Sequence, residues 1–320
     1  MINYAGNTPM ADITYKYEGK IGHVYAKLEY YNPSGSIKDR IAAYILNAAK
    51  EQGLLKAGQP IIETSSGNTG IALAAYGALT KHPVHIYMPD WASEERVKLM
   101  KMYGAEVHLI SREEGGFTSA LLRSDELANE IGGFKVQQFS NTNNSAAHYN
   151  GTAAEILKQL PDVGAFVSGV GSGGTIMGVG SRLIKENRAK LIAIEPDCAQ
   201  ILAGQEESSR QHKIEGIGDD FIPELMDTGI VDSILPVNDD DAIAMSAKLA
   251  RELGLGVGIS SGANFLGAVL ASMKYPEIKI ASVFADDNKK YLSTELGKSP
   301  LPKAGMLSEQ IELLDVKRID

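Results

Sequence analysis

The sequence predicts an α/β protein built on two open, mostly parallel twisted sheets with helices on their faces. Short β-branched runs alternate with longer stretches of helical periodicity. Each helical stretch is bounded by Gly, Pro, Asn or Asp. The alternation falls into two blocks, separated by the polar segment QQFSNTNNSAAHYNGT at 137–152. Strands joined through helices run parallel and need both faces covered, which is the layered α/β arrangement.

The first block runs from a helix opening near Lys38 to Leu109 and Ile110, with strands predicted at 60–64, 84–88 and 106–110 and a helix over 92–104. The second runs from Gly164 to Phe284, with strands at 164–169, 190–196, 232–237 and 279–284. Helices are predicted over 151–160 and 240–254. The stretch HVYAKLEYY (23–31) reads as a strand of unassigned sheet, and the final IELLDVKRID (311–320) as an appended arm or a dimer contact. The expected division is a smaller N-terminal domain, 1–140, and a larger C-terminal one, 141–320. Facing sheets leave a cleft where strand C-termini meet helix starts.

Composition narrows the function. Of 320 residues, 44% are apolar and 22% charged, ordinary values for a globular chain. Thirty-one Lys and Arg against 40 Asp and Glu give a net charge of −9, and no basic block offers a nucleic-acid surface. The single Cys198 can form neither an intrachain disulfide nor a multi-thiolate metal site. The start, MINYAGNTPM, lacks a charged region followed by an apolar run, and no stretch approaches eighteen apolar residues. The reading is a cytoplasmic protein with no membrane or nucleic-acid partner. His23, His82, His85, His108 and His212 form no ligand spacing along the chain, so no catalytic metal is expected.

One lysine stands out. In YNPSGSIKDRIAAYIL (31–46), Lys38 falls in the first turn of a predicted helix, where the macrodipole disfavours a cation. It is either a solvated charge offset by Asp39 behind a Ser36 cap, or a desolvated amine of lowered proton affinity, usable as a nucleophile.

Three strand-to-helix turns are rich in small and polar residues. In ETSSGNTG, Ser65, Ser66, Asn68 and Thr69 surround two glycines, so the turn is either an anion site at a helix start or a heavily decorated cap. In SGVGSGGT, Gly171, Ser172, Gly173, Gly174 and Thr175 form an anion cradle. The same run satisfies the glycine positions of the dinucleotide fingerprint, with Glu195 about twenty residues on. No lysine follows the glycines, so it is not a P-loop. In GISSGANF, Ser260 and Ser261 either cap a helix or face a ligand. A lysine, a phosphate cradle and a carboxylate-binding turn together suggest pyridoxal phosphate with an amino-acid substrate.

From GNTPM (6–10) to DDNKKYLST (286–294), the chain resembles the cysteine synthase and cystathionine β-synthase family of fold type II pyridoxal-phosphate enzymes. The resemblance implies a tryptophan synthase β-like fold with the cofactor in the cleft between domains, the smaller domain carrying the carboxylate loop and the larger the phosphate loop. It implies that Lys38 is the Schiff-base lysine and moves protons at the substrate α-carbon. It also implies that Asn68 meets the ring hydroxyl, that 171–175 hold the phosphate, that Ser260 faces the pyridine nitrogen, and that Ser65, Ser66, Thr69 and Gln138 hold the substrate carboxylate. His148 is implied to be structural, and a homodimer is implied. A neutral hydroxyl at the ring nitrogen makes a weaker electron sink than a carboxylate would, favouring β-elimination through an aminoacrylate and β-replacement over transamination.

Two departures matter. Thr64-Ser65-Ser66 replaces the Pro-Thr-Ser common in the family. Gly218-Asp219-Asp220-Phe221 stands where cysteine synthases commonly read GIGAGF; the cystathionine β-synthase branch has an acid at the place of Asp220, and Asp219 fits neither. An acid there either activates water or a hydroxyl as a base, or caps the FIPELM segment.

The expected activity is β-replacement or β-elimination on cysteine, serine or O-acetylserine, cysteine synthase-like. The alternatives are a cysteine lyase giving serine and sulfide with Asp219 as base, a serine or threonine dehydratase, or an inactive binding or regulatory module.

Overall fold

In the computed structural model, which describes residues 4–205 and 212–320, the strand-forming runs close into two sheets. The larger contains β1 (Met10–Tyr17), β2 (Lys20–Leu28), β7 (Val163–Gly169), β8 (Lys190–Pro196), β9 (Ser233–Val237), β10 (Lys279–Phe284) and β11 (Glu312–Ile319). Its order is β11-β1-β2-β10-β7-β8-β9. The smaller contains β3 (Ile61–Thr64), β4 (Val84–Pro89), β5 (Glu106–Ile110) and β6 (Phe134–Lys135), in the order β5-β4-β3-β6.

The smaller sheet is parallel throughout, and so is the larger from β2 to β9. Its other edge is antiparallel: β1 pairs with β2 through a tight hairpin and with β11, from Met10↔Ile319 to Lys16↔Glu312. Residues 23–28 of the unassigned stretch therefore belong to the larger sheet, which takes in residues from both sides of position 140, and Glu29–Tyr31 form a 3-10 turn instead of strand. The C-terminal stretch, expected as an appended arm or a dimer contact, forms the edge strand β11 of this sheet.

The longer helices are α1 (Lys38–Glu51), α2 (Asn68–Thr80), α3 (Glu94–Met102), α4 (Gly116–Ile131), α5 (Thr142–Ala147), α6 (Ala153–Gln159), α7 (Gly174–Asn187), α8 (Asp239–Leu253) and α9 (Ile259–Lys274), and a single turn, α10 (Leu307–Gln310), precedes β11. Their apolar faces divide the core. α8 and α9 pack on one face of the larger sheet, around Phe265, Ile194 and Phe284. α6 and α7 cover its other face. α1 and α2 pack on the smaller sheet through Ile41, Ile45, Ile71 and Leu73, and α4 covers the opposite face. α9 is apolar on nearly all sides because it lies between β7, β10 and α8. Removing the fully buried Phe265 ring to alanine costs about 3–5 kcal/mol. No helix among the described residues is long and apolar enough to cross a membrane.

The C-terminal ends of β3 and β7 lead directly into α2 and the turn before α7, and these two turns face one cleft. That is where a parallel α/β sheet exposes helix N-termini.

Candidate active site

Lys38 is the first residue of α1, and the loop before it is stitched down from several directions. Asp39 accepts hydrogen bonds from the Ser34 amide (2.9 Å) and hydroxyl (2.6 Å), so its charge is committed to the turn rather than to Lys38. The Ser36 hydroxyl accepts from the Lys38 amide at 3.2 Å, and the Ile37 amide donates to the Ala285 carbonyl just past β10. Two residues on, Arg40 forks onto Glu29 (2.6 and 2.8 Å) and reaches Glu155 (2.7 Å). A helix of the smaller lobe thus starts against the end of a strand of the larger sheet, and the lysine lines the cleft between them. Burial pushes the Lys38 amine down to about 8, against the opposing charge of Asp219. The solvated-surface reading of this lysine fails.

Eleven of the residues the sequence singled out line the same cleft: Lys38, Ser65, Ser66, Asn68, Thr69, Gln138, Gly171, Ser172, Gly173, Thr175 and Ser260. Asp219 joins them. Gly174 stands one step behind, opening α7, where a Cβ would strike the Asn144 amide.

On the smaller-sheet wall, Thr69 donates to Gln138 Oε1 at 2.7 Å, and Gln138 Nε2 donates to the Thr64 carbonyl at 3.0 Å. The Ser65 oxygen accepts from the amides of Gly67 (3.1 Å) and Gly70 (3.2 Å), so it caps α2 while its own proton remains available to the cleft. Asn68 donates to Asp286 at 2.7 Å, which leaves its Oδ1 a buried acceptor without a partner among the described residues.

On the larger-sheet wall, the glycine-rich turn is packed to the backbone. A Cβ on Gly171 would lie 2.3 Å from the Gly216 carbonyl oxygen, and Gly173 holds a left-handed φ of 80°. Ser172 accepts from Asn144, and Thr175 meets the buried His148 ring at 3.2 Å. His148 does not line the cleft; burial holds its pKa well below the usual range, so the ring is neutral. Glu195 is also committed: its oxygens accept from the amides of Leu202 and Ala203, which removes it from any ribose-binding role. Ser260, in the first turn of α9, lines the cleft, while the N-cap position is held by Gly258.

Asp219 lines the cleft together with Glu215, Gly216 and Ile217, and Asp220 beside it is exposed. Burial raises the Asp219 pKa, against the lowering effect of His212 and Lys38.

Sequence reasoning missed the supports. Asp286, fully buried, accepts from Asn68 and from Tyr291 (2.8 Å). Asn264 accepts from the Gly169 amide at 2.7 Å and donates to Val283, fixing the approach to the glycine turn. Glu63, whose pKa burial raises to about 7, accepts from the amides of Thr64 and Gln138. Arg96 bridges to Glu215 across the mouth and lies 4.6 Å over the Tyr291 ring. His85 and His108 are brought together with Glu106 on neighbouring strands, away from the cleft, by strand register rather than by sequence spacing.

Comparison with known proteins points one way. A family model described as pyridoxal-phosphate dependent enzyme matches residues 2–286. A cysteine synthase of Staphylococcus aureus is 40% identical over 295 residues, which cover 91% of this chain and 94% of that protein. Among solved structures, a hydrogen sulfide-producing enzyme from Fusobacterium nucleatum is 45% identical with a TM-score of 0.94, covering 99% of this chain and 97% of that one. A cysteine synthase from Entamoeba histolytica is 35% identical with a TM-score of 0.86, over 96% and 92%.

Proposed function

The chain belongs to the pyridoxal-phosphate dependent enzyme family, and on that premise we propose that it converts cysteine and water into serine and hydrogen sulfide. It is an enzyme of β-replacement and β-elimination, acting on a small amino acid. Bound pyridoxal phosphate supplies the electron sink that makes an amino acid's α-proton removable.

The cleft fits that group. The unpartnered Asn68 Oδ1 suits a ring hydroxyl, and the turn 171–175, with little side chain in the way, offers helix-start amides to a phosphate. Lys38 is the residue to hold the cofactor covalently and then to take and return the proton at the substrate α-carbon. An amine pKa of about 8 leaves an appreciable neutral fraction near neutral pH for that work. Ser65, Ser66, Thr69 and Gln138 are the residues to bind the substrate carboxylate, and Ser260 is the neutral partner of the ring nitrogen. By the family resemblance the active form is a homodimer.

The observation that carries the direction of reaction is Asp219. A carboxylate shares the cleft with Lys38 closely enough for each charge to shift the other. Such a group accepts a proton from an attacking water as the oxygen bonds to the β-carbon, and its negative charge disfavours a hydrosulfide anion as nucleophile. The 45% identity to a sulfide-producing enzyme supports the same reading.

The second reading is cysteine synthesis from O-acetylserine and sulfide, favoured by the 40% identity to a cysteine synthase. Product analysis tests both. With cysteine alone, the proposal expects equimolar serine and sulfide at a higher kcat/KM than cysteine formation from O-acetylserine and sulfide. A marked preference for the second reaction, with little sulfide from cysteine, overturns it.

A further inference from the structure

We propose that His85, Glu106 and His108 form a binding site for a divalent transition metal of the zinc class, on the smaller lobe and separate from the catalytic cleft. In the parallel ladder His85 stands opposite Glu106 and Tyr87 opposite His108, so all four side chains project from one face of β4 and β5. His85 Nδ1 and His108 Nε2 are 3.4 Å apart; Glu106 sets Oε2 at 3.5 Å from the first and Oε1 at 3.5 Å from the second.

A tetrahedral ion with bonds of about 2.1 Å holds its donor atoms about 3.4 Å apart. The two imidazole nitrogens stand at that spacing, and the Glu106 carboxylate, with one oxygen beside each, supplies the third ligand, so a remaining corner is left for water. Two imidazoles with one carboxylate suit zinc, nickel or cobalt better than calcium or magnesium.

The surroundings favour a cation and fix the rings. His108 stacks on Tyr87 at 4.4 Å and 13°, and His85 lies 5.7 Å from His108 at 19°. Around Tyr87 the charges of Glu106, Glu126 and Glu130 outnumber that of Arg123. Because β5 is the edge of the smaller sheet, an ion here ties the outermost strand to its neighbour through side chains as well as through the backbone ladder.

The test is calorimetric titration of chelator-treated holoenzyme with Zn²⁺ in the absence of substrate. Asp197, Cys198 and Asp239 also gather three donor atoms, so Cys198→Ser serves as the control. The expected result is one ion per chain with a Kd on the order of micromolar or tighter in wild type and in Cys198→Ser. His85→Ala and His108→Ala are expected to weaken it by more than the roughly 10–100-fold that loss of an outer-sphere partner costs. Glu106→Gln, at an exposed side chain, is expected to weaken it in the same sense without disturbing the fold. Sulfide release from cysteine in metal-free buffer is expected to be equal in all of them. Wild-type binding no tighter than millimolar, or unchanged binding in His108→Ala, overturns the site.

Discussion

The two walls of the cleft follow the same plan, a parallel strand running into a helix, yet they are made of different materials. The smaller-sheet wall is a mesh of side chains: Thr69 bonds Gln138, Gln138 bonds Thr64, and Ser65 caps its own helix. The larger-sheet wall is mostly backbone at its turn, with glycines so close-packed that a methyl group at 171 would collide with a carbonyl. A planar carboxylate is read by a few fixed donors, whereas a phosphate dianion is best held by many amides approaching closely. On the proposed reading the substrate carboxylate falls to the first wall and the cofactor phosphate to the second, with Asn68 of the first wall meeting the cofactor ring, and Lys38 stands between them because its helix starts against the larger sheet.

The comparison can be broken at several points. Lys38→Ala has the largest expected effect, about 10⁴-fold in kcat for sulfide release. Gel filtration should also show that its cofactor is no longer covalently held. Next comes Gly171→Ala on the backbone wall. Forcing a Cβ to 2.3 Å from a carbonyl oxygen costs about 1–3 kcal/mol, which as lost cofactor affinity is roughly 5–150-fold. The substrate KM at saturating cofactor should be little changed. Thr69→Ala on the side-chain wall should do the reverse. With Gln138 Oε1 left unpaired, about 1–3 kcal/mol is lost, so KM for cysteine rises about tenfold while cofactor affinity stays. If Gly171→Ala raised KM and Thr69→Ala released cofactor, the assignment of the walls would be wrong.

A smaller effect concerns pH. In its proposed role the neutral Lys38 amine would capture the cofactor aldehyde, so the capture rate by apo-protein should rise with pH and reach half its plateau near pH 8. The Asp219 charge holds that amine's pKa up, so Asp219→Asn should move the midpoint lower. Stopped-flow absorbance would measure both, and a midpoint near the ordinary lysine value would contradict the burial of this amine.

Much of this was legible in the chain. Parallel strands buried on both faces leave continuous apolar runs, so β3, β4, β7, β8 and β10 could be read within a residue or two, and the more exposed edge strands β5 and β9 were read from their short apolar runs between turns. Ser65, Asn68, Gly171 and Ser260 announced themselves because their turns carry more small polar residues than a turn requires. What stayed hidden depends on pairing across long separations. β11 joins β1 at Met10↔Ile319, and no local pattern in a half-exposed edge strand encodes that partner. Asp286, Asn264 and Glu63 were invisible for a related reason: each supports a site residue far away in sequence, and a buried polar residue has no spacing of its own. His85 and His108 meet only because the β4–β5 register sets them diagonally.

The direct test of the central claim is steady-state sulfide release from cysteine by Asp219→Asn, set beside cysteine formation from O-acetylserine and sulfide by the same variant. A positioned general base contributes about 10²–10⁴-fold, so release from cysteine should fall by that range while the replacement reaction with sulfide is unchanged or faster. Undiminished sulfide release would show that Asp219 does not direct water to the β-carbon, and the proposed direction of the reaction would fall with it.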